Sequence, residues 1–323
     1  MNRLRLRIPA WLTDYLGMAA ALAILLVVFG LTTENFFSTA TFKAIANQIP
    51  DTTILAVGMT FVLIIAGIDL SVGSVMALAG AVLGVLLTKF GLPLPAAAAA
   101  CLAVGLICGL ANGLTVIAWS LPSFIVTLGM LEIARGAAYL VTNSRTLYVS
   151  DHLEAVTDTT LLGLSLPFVA AVLLVLIAQF ILSMTVFGRH MVAVGTNETA
   201  AHLSGIAVRR VKLAVFAISG LLCGAAAVIH TARYQANPNN GDGMELQVIA
   251  AVVIGGTSLM GGRGSVISTF FGVLIIKVLG TGLAQTGAGE PTKRLVTGCV
   301  IVAAVILDYY RRRLRKAKTE RTP

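Results

Sequence analysis

Charge is what this chain has least of. Only 11% of its 323 residues are Asp, Glu, Lys or Arg, against 57% hydrophobic, whereas soluble domains carry about 25% charged residues. Such a chain cannot present a water-compatible surface, which excludes an ordinary soluble domain. Cysteine is sparse as well. Cys101, Cys108, Cys223 and Cys299 all lie in apolar runs without C-x-x-C spacing, so they read as small packing residues, neither a disulfide framework nor a metal site. No G-x-x-x-x-G-K-[ST] occurs, so the chain has no P-loop with which to bind ATP. H-E-x-x-H, G-x-S-x-G and a paired-aspartate array are missing too, which leaves no constellation for an intramembrane enzyme.

Long apolar runs fill the space that charge leaves. Tyr15–Thr33, Leu70–Thr88, Phe90–Leu131 and Thr159–Gly188 contain no charged residue and meet or exceed the roughly 18 residues that suggest a membrane span. The basic head and first apolar run could pass for a signal peptide, but the run is long and ends in Thr32-Thr33-Glu34-Asn35 without a small-x-small cleavage site. It is a first span. The expected spans are 15–31, 46–66, 70–88, 95–118, 122–142, 165–187, 212–231, 245–262, 264–283 and 293–308. Without the alternation of a barrel strand they should be α-helical, because a backbone in lipid must satisfy its own hydrogen bonds. The expected fold is therefore all-α: a polytopic integral membrane protein of about ten transmembrane helices, forming one domain over 1–323.

The net charge of +9 could suggest nucleic acid, but its distribution argues otherwise. Arg3, Arg5 and Arg7, then Arg189, Arg209, Arg210 and Lys212, then the tail at 309–323 beginning Arg311-Arg312-Arg313 hold most of it. These clusters flank spans, and the positive-inside rule puts all three in the cytoplasm. An even number of spans agrees, with both termini cytoplasmic and Gly188–Lys212 falling there after the sixth. The loops at 143–164 and 232–245 mix Arg145 and Arg233 with Asp151, Glu154, Asp158, Asp242 and Glu245, as expected of the outer face.

Within the island Gly188–Lys212 a short helix is written. Thr196 or Asn197 is placed to cap its first free amides, Glu198 sits in the first turn where the helix dipole favours an acid, and Gly205 suits the left-handed position that ends a helix. An ordinary polar loop is the alternative. Elsewhere, Gly67-Ile-Asp69-Leu-Ser71-Val-Gly73-Ser74 breaks two apolar runs with a carboxylate, hydroxyls and glycines. Either Asp69 and Ser71 face a polar pathway, or they cap the next helix in a tight turn. A second break, Gly255–Ser265, echoes the first through its own Gly-Ser-Val sequence. Glu132 and Arg135, three apart, share a helix face and either pair with one another or line a pathway. Asn112 either bonds across helices or faces a cavity, Lys277 snorkels, and His190, His202 and His230 form no ligand cluster.

Taken together, several segments resemble the permease subunits of bacterial ABC importers for monosaccharides, the ribose/xylose/galactose type. They are Gly58-Met-Thr-Phe61 through Gly67–Ser74, Leu121-Pro-Ser-Phe-Ile-Val-Thr-Leu-Gly129 with Ala134-Arg-Gly136, and Gly188-Arg189 through Gly195, Asn197-Glu198, Ala200-Ala201 and Ser204-Gly205-Ile206. Glu245-Leu246 and Ile249–Ser265 complete the set. The resemblance covers nearly the whole chain after the first span. It implies a type II ABC importer-like permease fold and a set of partners: a cytoplasmic ABC ATPase, an extracytoplasmic sugar-binding protein, a second permease copy and membrane lipid. It further implies residence in the cytoplasmic (inner) membrane of a bacterium, with no cofactor in this chain because the ATPase holds ATP and Mg. Gly195, Asn197, Glu198, Ala200, Ala201, His202 and Gly205 would then form the coupling segment that docks into the ATPase. Thr196 and His202 depart from the usual Gly and Arg there, as Gln247 and Ser268 do from Asp and Gly. The rival reading is a secondary transporter of a small polar solute, coupled to H⁺ or Na⁺ through Asp69 or the Glu132/Arg135 pair.

Overall fold

A computed structural model describes residues 10–161, 164–300, 302, 303 and 306. The basic residues Arg3, Arg5 and Arg7, the tail 309–323 and most of the last turns of the 293–308 span lie outside the described residues. The chain is an all-α polytopic protein. Its helices are α1 (Ala10–Thr32), α2 (Thr39–Gln48), α3 (Pro50–Ile64), α4 (Val72–Thr88), α5 (Leu94–Ala118), α6 (Ser123–Thr142) and α7 (Ser150–Asp158). There follow α8 (Leu166–Met184), α9 (Val186–Thr196), α10 (Glu198–Leu203), α11 (Val208–Tyr234), α12 (Met244–Ile254) and α13 (Val266–Gln285), with residues 290–300 helical again. Between α7 and α8 a small antiparallel hairpin pairs β1 (Thr160–Leu161) with β2 (Leu164–Ser165).

Among the described residues, α5, α6, α8, α11 and α13 are each long and apolar enough to cross a membrane. The helices α3, α4 and α12 are apolar but shorter. Two expected spans are cut for identifiable reasons. The segment 46–66 divides at Ile49, because Pro50 has no amide hydrogen to donate and opens a new helix. The segment 245–262 stops at Ile254, where Gly256 takes φ +85°. With 11 residues, α12 is roughly 16 Å long, about half of a bilayer core.

Small residues set the tightest crossing. On α5, Gly105 and Gly109 lie against Gly220 and Gly224 of α11, and a Cβ on Gly220 would meet Gly109 Cα at 2.7 Å and the Gly105 carbonyl closer still. Paired small-xxx-small stripes let two helix backbones touch where lipid supplies no hydrophobic drive. Cys101 of α5 donates its thiol to Gly224 O (3.3 Å) in the same seam. The outer surface is apolar: Leu173, Leu176, Ile177 and Phe180 of α8 are each more than half exposed, a patch that fits lipid and not water.

The bundle has two distinct ends. At the island end, Ile68 N–H donates to Ser123 Oγ (2.9 Å), and Gly262 N–H donates to Ile64 O (2.9 Å). At the far end Leu147 and Ala236 pair as a β-bridge, Val149 N–H donates to Gln235 Oε1 (2.7 Å), and Asn237 Nδ2 donates to Thr146 Oγ1 (3.0 Å). These bonds tie α7 and its approach to the segment after α11.

Candidate functional site

At the island end, Asn197 is the N-cap of α10: its backbone is extended (φ −160°, ψ 103°) and its Oδ1 accepts from Ala200 N–H at 2.9 Å. Thr196, the other capping candidate, instead ends α9 and donates its hydroxyl to Val192 O (2.7 Å). Closure of α10 follows the glycine rule. Gly205 takes φ +83°, its N–H donates to His202 O (3.0 Å), and Ile206 N–H donates to Ala201 O (3.1 Å). This pair of bonds is the Schellman arrangement, which satisfies carbonyls that a helix end leaves open. Glu198 receives Lys212 Nζ at 2.7 Å, pinning α10 to the start of α11.

Of the coupling candidates, Asn197, Glu198, Ala200, His202 and Gly205 are exposed, while Ala201 is buried beneath them. Leu203 was not legible as a site residue, yet it is 82% exposed on this short helix. Beside α10 opens a groove of about 740 Å³ lined by Ser120, Glu198, Thr199, His202 and 205–210. Gly195 does something different. A Cβ there would collide with the Ile64 carbonyl and meet Gly262 N at 2.7 Å, so α9 lies directly on the end of α3 and on the 258–265 turn.

That contact brings the second glycine-rich break to the end of α3, immediately before the first. Ala66 closes α3 with φ +60°, and Gly261 (φ +79°) is the residue facing it: a Cβ on Gly261 would stand 2.7 Å from Ala66 Cβ. The second break also feeds α13, whose first amides are capped from outside. Gln179 Oε1 of α8 accepts from Val266 N–H (2.8 Å) and Ile267 N–H (3.3 Å).

Past Ala66, Asp69 is the centre of a buried knot. Its Oδ1 accepts from Ser71 N–H (3.0 Å) and Ser71 Oγ (2.6 Å), and its Oδ2 accepts from Ser219 Oγ of α11 (3.1 Å). Asn112 of α5 donates Nδ2 to Ser71 Oγ (3.0 Å). Asp69, Ser71, Asn112 and Ser219 are all 2% exposed or less. Ser71 stands at the N-cap of α4 but its side chain makes no cap bond; Asp69 holds the turn instead. Thr127 Oγ1 of α6 accepts from Leu70 N–H (3.0 Å), so three helices are sewn to the break.

Glu132 and Arg135 share a face of α6, but they do not form the ion pair that their spacing offers. Arg135 Nη1 donates to the carbonyls of Pro238 and Asn240 (2.8 Å to the latter). The segment 235–243 presents two carbonyls to one nitrogen, and that outcompetes a carboxylate one turn away. Glu132 is left exposed, with Gly129 and Gly136 facing open space on the same helix.

A second buried polar group was passed over in the sequence. His230 Nδ1 of α11 lies 2.7 Å from Asp51 Oδ2 in the first turn of α3. Lys277 of α13 is near this pair; it is half-buried and lines a cavity with Tyr234, Glu290 and Arg294. Arg233, one turn of α11 further on, has a buried Nη1 without a partner among the described residues. Nothing in the pattern around Asp51 signalled a partner 179 residues away.

The family model for the branched-chain amino acid transport system / permease component matches residues 41–305. Curated relatives include the ribose import permease protein of Haemophilus influenzae, 38% identical over 90% of this chain and 91% of that protein. Others are the fructose import permease protein of Rhizobium meliloti (35%, over 91% of this chain and 84% of that protein) and the L-arabinose ABC transporter permease protein of Azospirillum brasilense (33%, 93% and 89%). No solved structure gives a significant match.

Proposed function

The chain belongs to the family of transport-system permease components, and from that footing we propose that it is the membrane subunit of an ATP-driven importer of a monosaccharide. The family model's own description names branched-chain amino acids, whereas the relatives over most of the chain are named for ribose, fructose or L-arabinose. Identity over nine-tenths of the chain is the more specific guide, so the sugar reading is preferred. A cytoplasmic ATPase would supply the energy, with ATP and Mg held there and none in this chain. An extracytoplasmic binding protein would deliver the sugar, and a second permease copy would complete the pathway. The protein sits in the inner membrane with the island end and both termini in the cytoplasm, as the positive clusters favour.

The observation that carries this reading is α10. A six-residue helix is far too short to be stable alone, yet this one is capped at both ends, bolted to α11 by Glu198–Lys212, and exposes Leu203 beside a groove. Such a helix is built to be gripped by a partner. Charge reversal (Glu198→Lys) and a helix break (Ala201→Pro, about 3 kcal/mol) should separate ATP hydrolysis from sugar uptake in the reconstituted complex while membrane insertion persists. Undiminished uptake in both variants would remove the docking role. Uptake by the chain alone, abolished by an ionophore, would instead favour the ion-coupled reading.

A further inference from the structure

Above the Asp69 knot, on the side away from the island, the first turn of α4 and the middle of α6 face the segment 235–243. That segment comes close enough that a Cβ on Gly73 would collide with the Gly241 carbonyl and stand 2.8 Å from Glu245 Oε2. Between these elements lies a polar cavity of about 280 Å³, lined by Ser74, Glu132, Arg135, Tyr139, Asp242 and Glu245 together with Leu131 and Asn239. Its size is near the lower edge of small-molecule sites, roughly 300–1,000 Å³.

We propose that this cavity is a transit site for a neutral polyhydroxylated solute, its hydroxyls donating to Glu132, Asp242 and Glu245 and accepting from Ser74. The assignment rests on the permease reading above and adds to it the residues that meet the sugar. Ser74 Oγ is the observation that points to a ligand. Its residue is 1% exposed, it lines the cavity, and it has no hydrogen-bond partner among the described residues. A helical serine could bond back to its own preceding turn; this hydroxyl does not, so its hydrogen-bonding capacity is left for an occupant, and a buried hydroxyl without a partner costs free energy until one arrives.

The walls specify the class. Ionised carboxylates are acceptors only, and Glu132, Asp242 and Glu245 line the cavity beside Arg135, with Asp242 also 3.6 Å from Arg294. Acceptors therefore outnumber cationic donors in the walls, and the site suits a molecule rich in O–H donors over a phosphate or carboxylate. A divalent ion is disfavoured by spacing, since among the described residues no group of three His, Cys, Asp or Glu side chains is close enough to hold a metal. Arg135 is a positioning residue: its Nη1 grips Pro238 O and Asn240 O, which holds the segment 235–243 over the cavity. Tyr139 assists by donating to Asn239 Oδ1. Because Glu132 is exposed between Gly129 and Gly136, the cavity is open on the α6 side.

The test uses the whole complex in proteoliposomes with ATP at the ATPase side and radiolabelled D-ribose, D-fructose and L-arabinose as probes. Ser74→Val fills the void and removes the hydroxyl; Glu132→Gln keeps the shape and turns an acceptor oxygen into a donor. Each should lower uptake of the transported sugar about tenfold, the value of one hydrogen bond out of water, and raise the ATP consumed per sugar moved. A second readout does not depend on how well those variants work. Glu132→Cys, made in a Cys299→Ser background because Cys299 is exposed, should react with a charged, membrane-impermeant thiol reagent, and sugar-loaded binding protein should slow the reaction. Absent labelling, or a rate that sugar does not change, overturns the assignment. So does competition by spermidine in place of the sugars, which would make the occupant a cation. If the wild-type complex moves none of the three sugars, the monosaccharide reading fails and takes this one with it. If it moves one and the Ser74 and Glu132 variants match it, only the cavity assignment fails.

Discussion

Replacing Gly195 by alanine adds one methyl group to the side of α9 that lies on the end of α3. The new Cβ would collide with Ile64 O, and it would stand 2.7 Å from Gly262 N and 2.8 Å from the Ile64 carbonyl carbon. All three are backbone atoms, so no side chain can rotate aside. Ordinary contact begins near 3.4 Å; α9 must therefore part from α3 and the 258–265 turn, and the Gly262 N–H to Ile64 O bond of 2.9 Å lies in the path. Overpacking costs about 1–3 kcal/mol, and a buried amide that loses its partner adds about 1–3 kcal/mol. The expected destabilisation is thus about 2–6 kcal/mol. Gly205→Ala is the internal control. Gly205 has a positive φ, +83°, unlike the helical Gly195, and a Cβ there meets open space, so only the left-handed backbone penalty of about 1–2 kcal/mol applies. Thermal unfolding of the purified permease in detergent and ATP-driven uptake by the complex would be measured side by side. Gly195→Ala should melt lower than Gly205→Ala and lose most of its uptake. A Gly195→Ala protein that melts with the wild type would refute the argument, because it would mean that α9 yields at no cost.

Two further outcomes follow from buried contacts. Asp51→Leu or His230→Leu alone should destabilise by about 3–5 kcal/mol, since each strands a buried polar partner, and the two together should recover part of the loss; a double-mutant cycle on the melting curves measures the coupling, and simple additivity would contradict the pair. Gly220→Leu drives a side chain into Gly105 and Gly109 of α5 and should abolish monodisperse permease in detergent, whereas Gly280→Leu, which meets open space, should purify normally; equal yields would remove the small-residue seam as the reason for the α5–α11 crossing.

Composition and periodicity were enough for the fold class, because lipid leaves a chain one option for its backbone and charge-free runs mark where that option is used. The short helix α10 was legible for a related reason: Asn197, Glu198 and Gly205 act on their own local backbone, and caps are local chemistry. What required coordinates was long-range. Pro50 was visible in the sequence, but the apolar run that follows it drew the expected span back across it to residue 46. The Glu132–Arg135 spacing suggested a pair, and the winner was a segment a hundred residues away, whose carbonyls carry no side-chain signature at all. Asp51–His230, Asp69–Ser219 and Gln179 at the start of α13 are likewise partnerships between helices, and helix periodicity does not say which face meets which neighbour. The resemblance of the two glycine-rich breaks was read as an echo of sequence; in the fold the second meets Ile64 and Ala66, immediately before the first.

That contact gives the geometry its sense. Gly195 lies where the end of α3 and the 258–265 turn meet, and each leads toward the polar cavity by its own route. From Ile64 the chain runs through Ala66 and the Asp69 knot to Ser74, ten residues on in sequence. From the 258–265 turn it runs back along α12, roughly 16 Å of unbroken helix, to Glu245 at the other end. Ser74 and Glu245 line the same cavity from different elements, and the elements that bear them are held at one point beneath α9. A displacement applied at α10 through Gly195 therefore has two short rigid levers to act on, one for each wall. Spatial continuity of this kind is no measure of coupling by itself, but the substitutions above divide the question. Gly195→Ala disturbs the fulcrum without touching the cavity, and Ser74→Val alters a wall without touching the fulcrum. If the levers carry the motion, the first should change ATP consumed per sugar moved for every sugar alike, while the second should change it according to how each sugar fills the site.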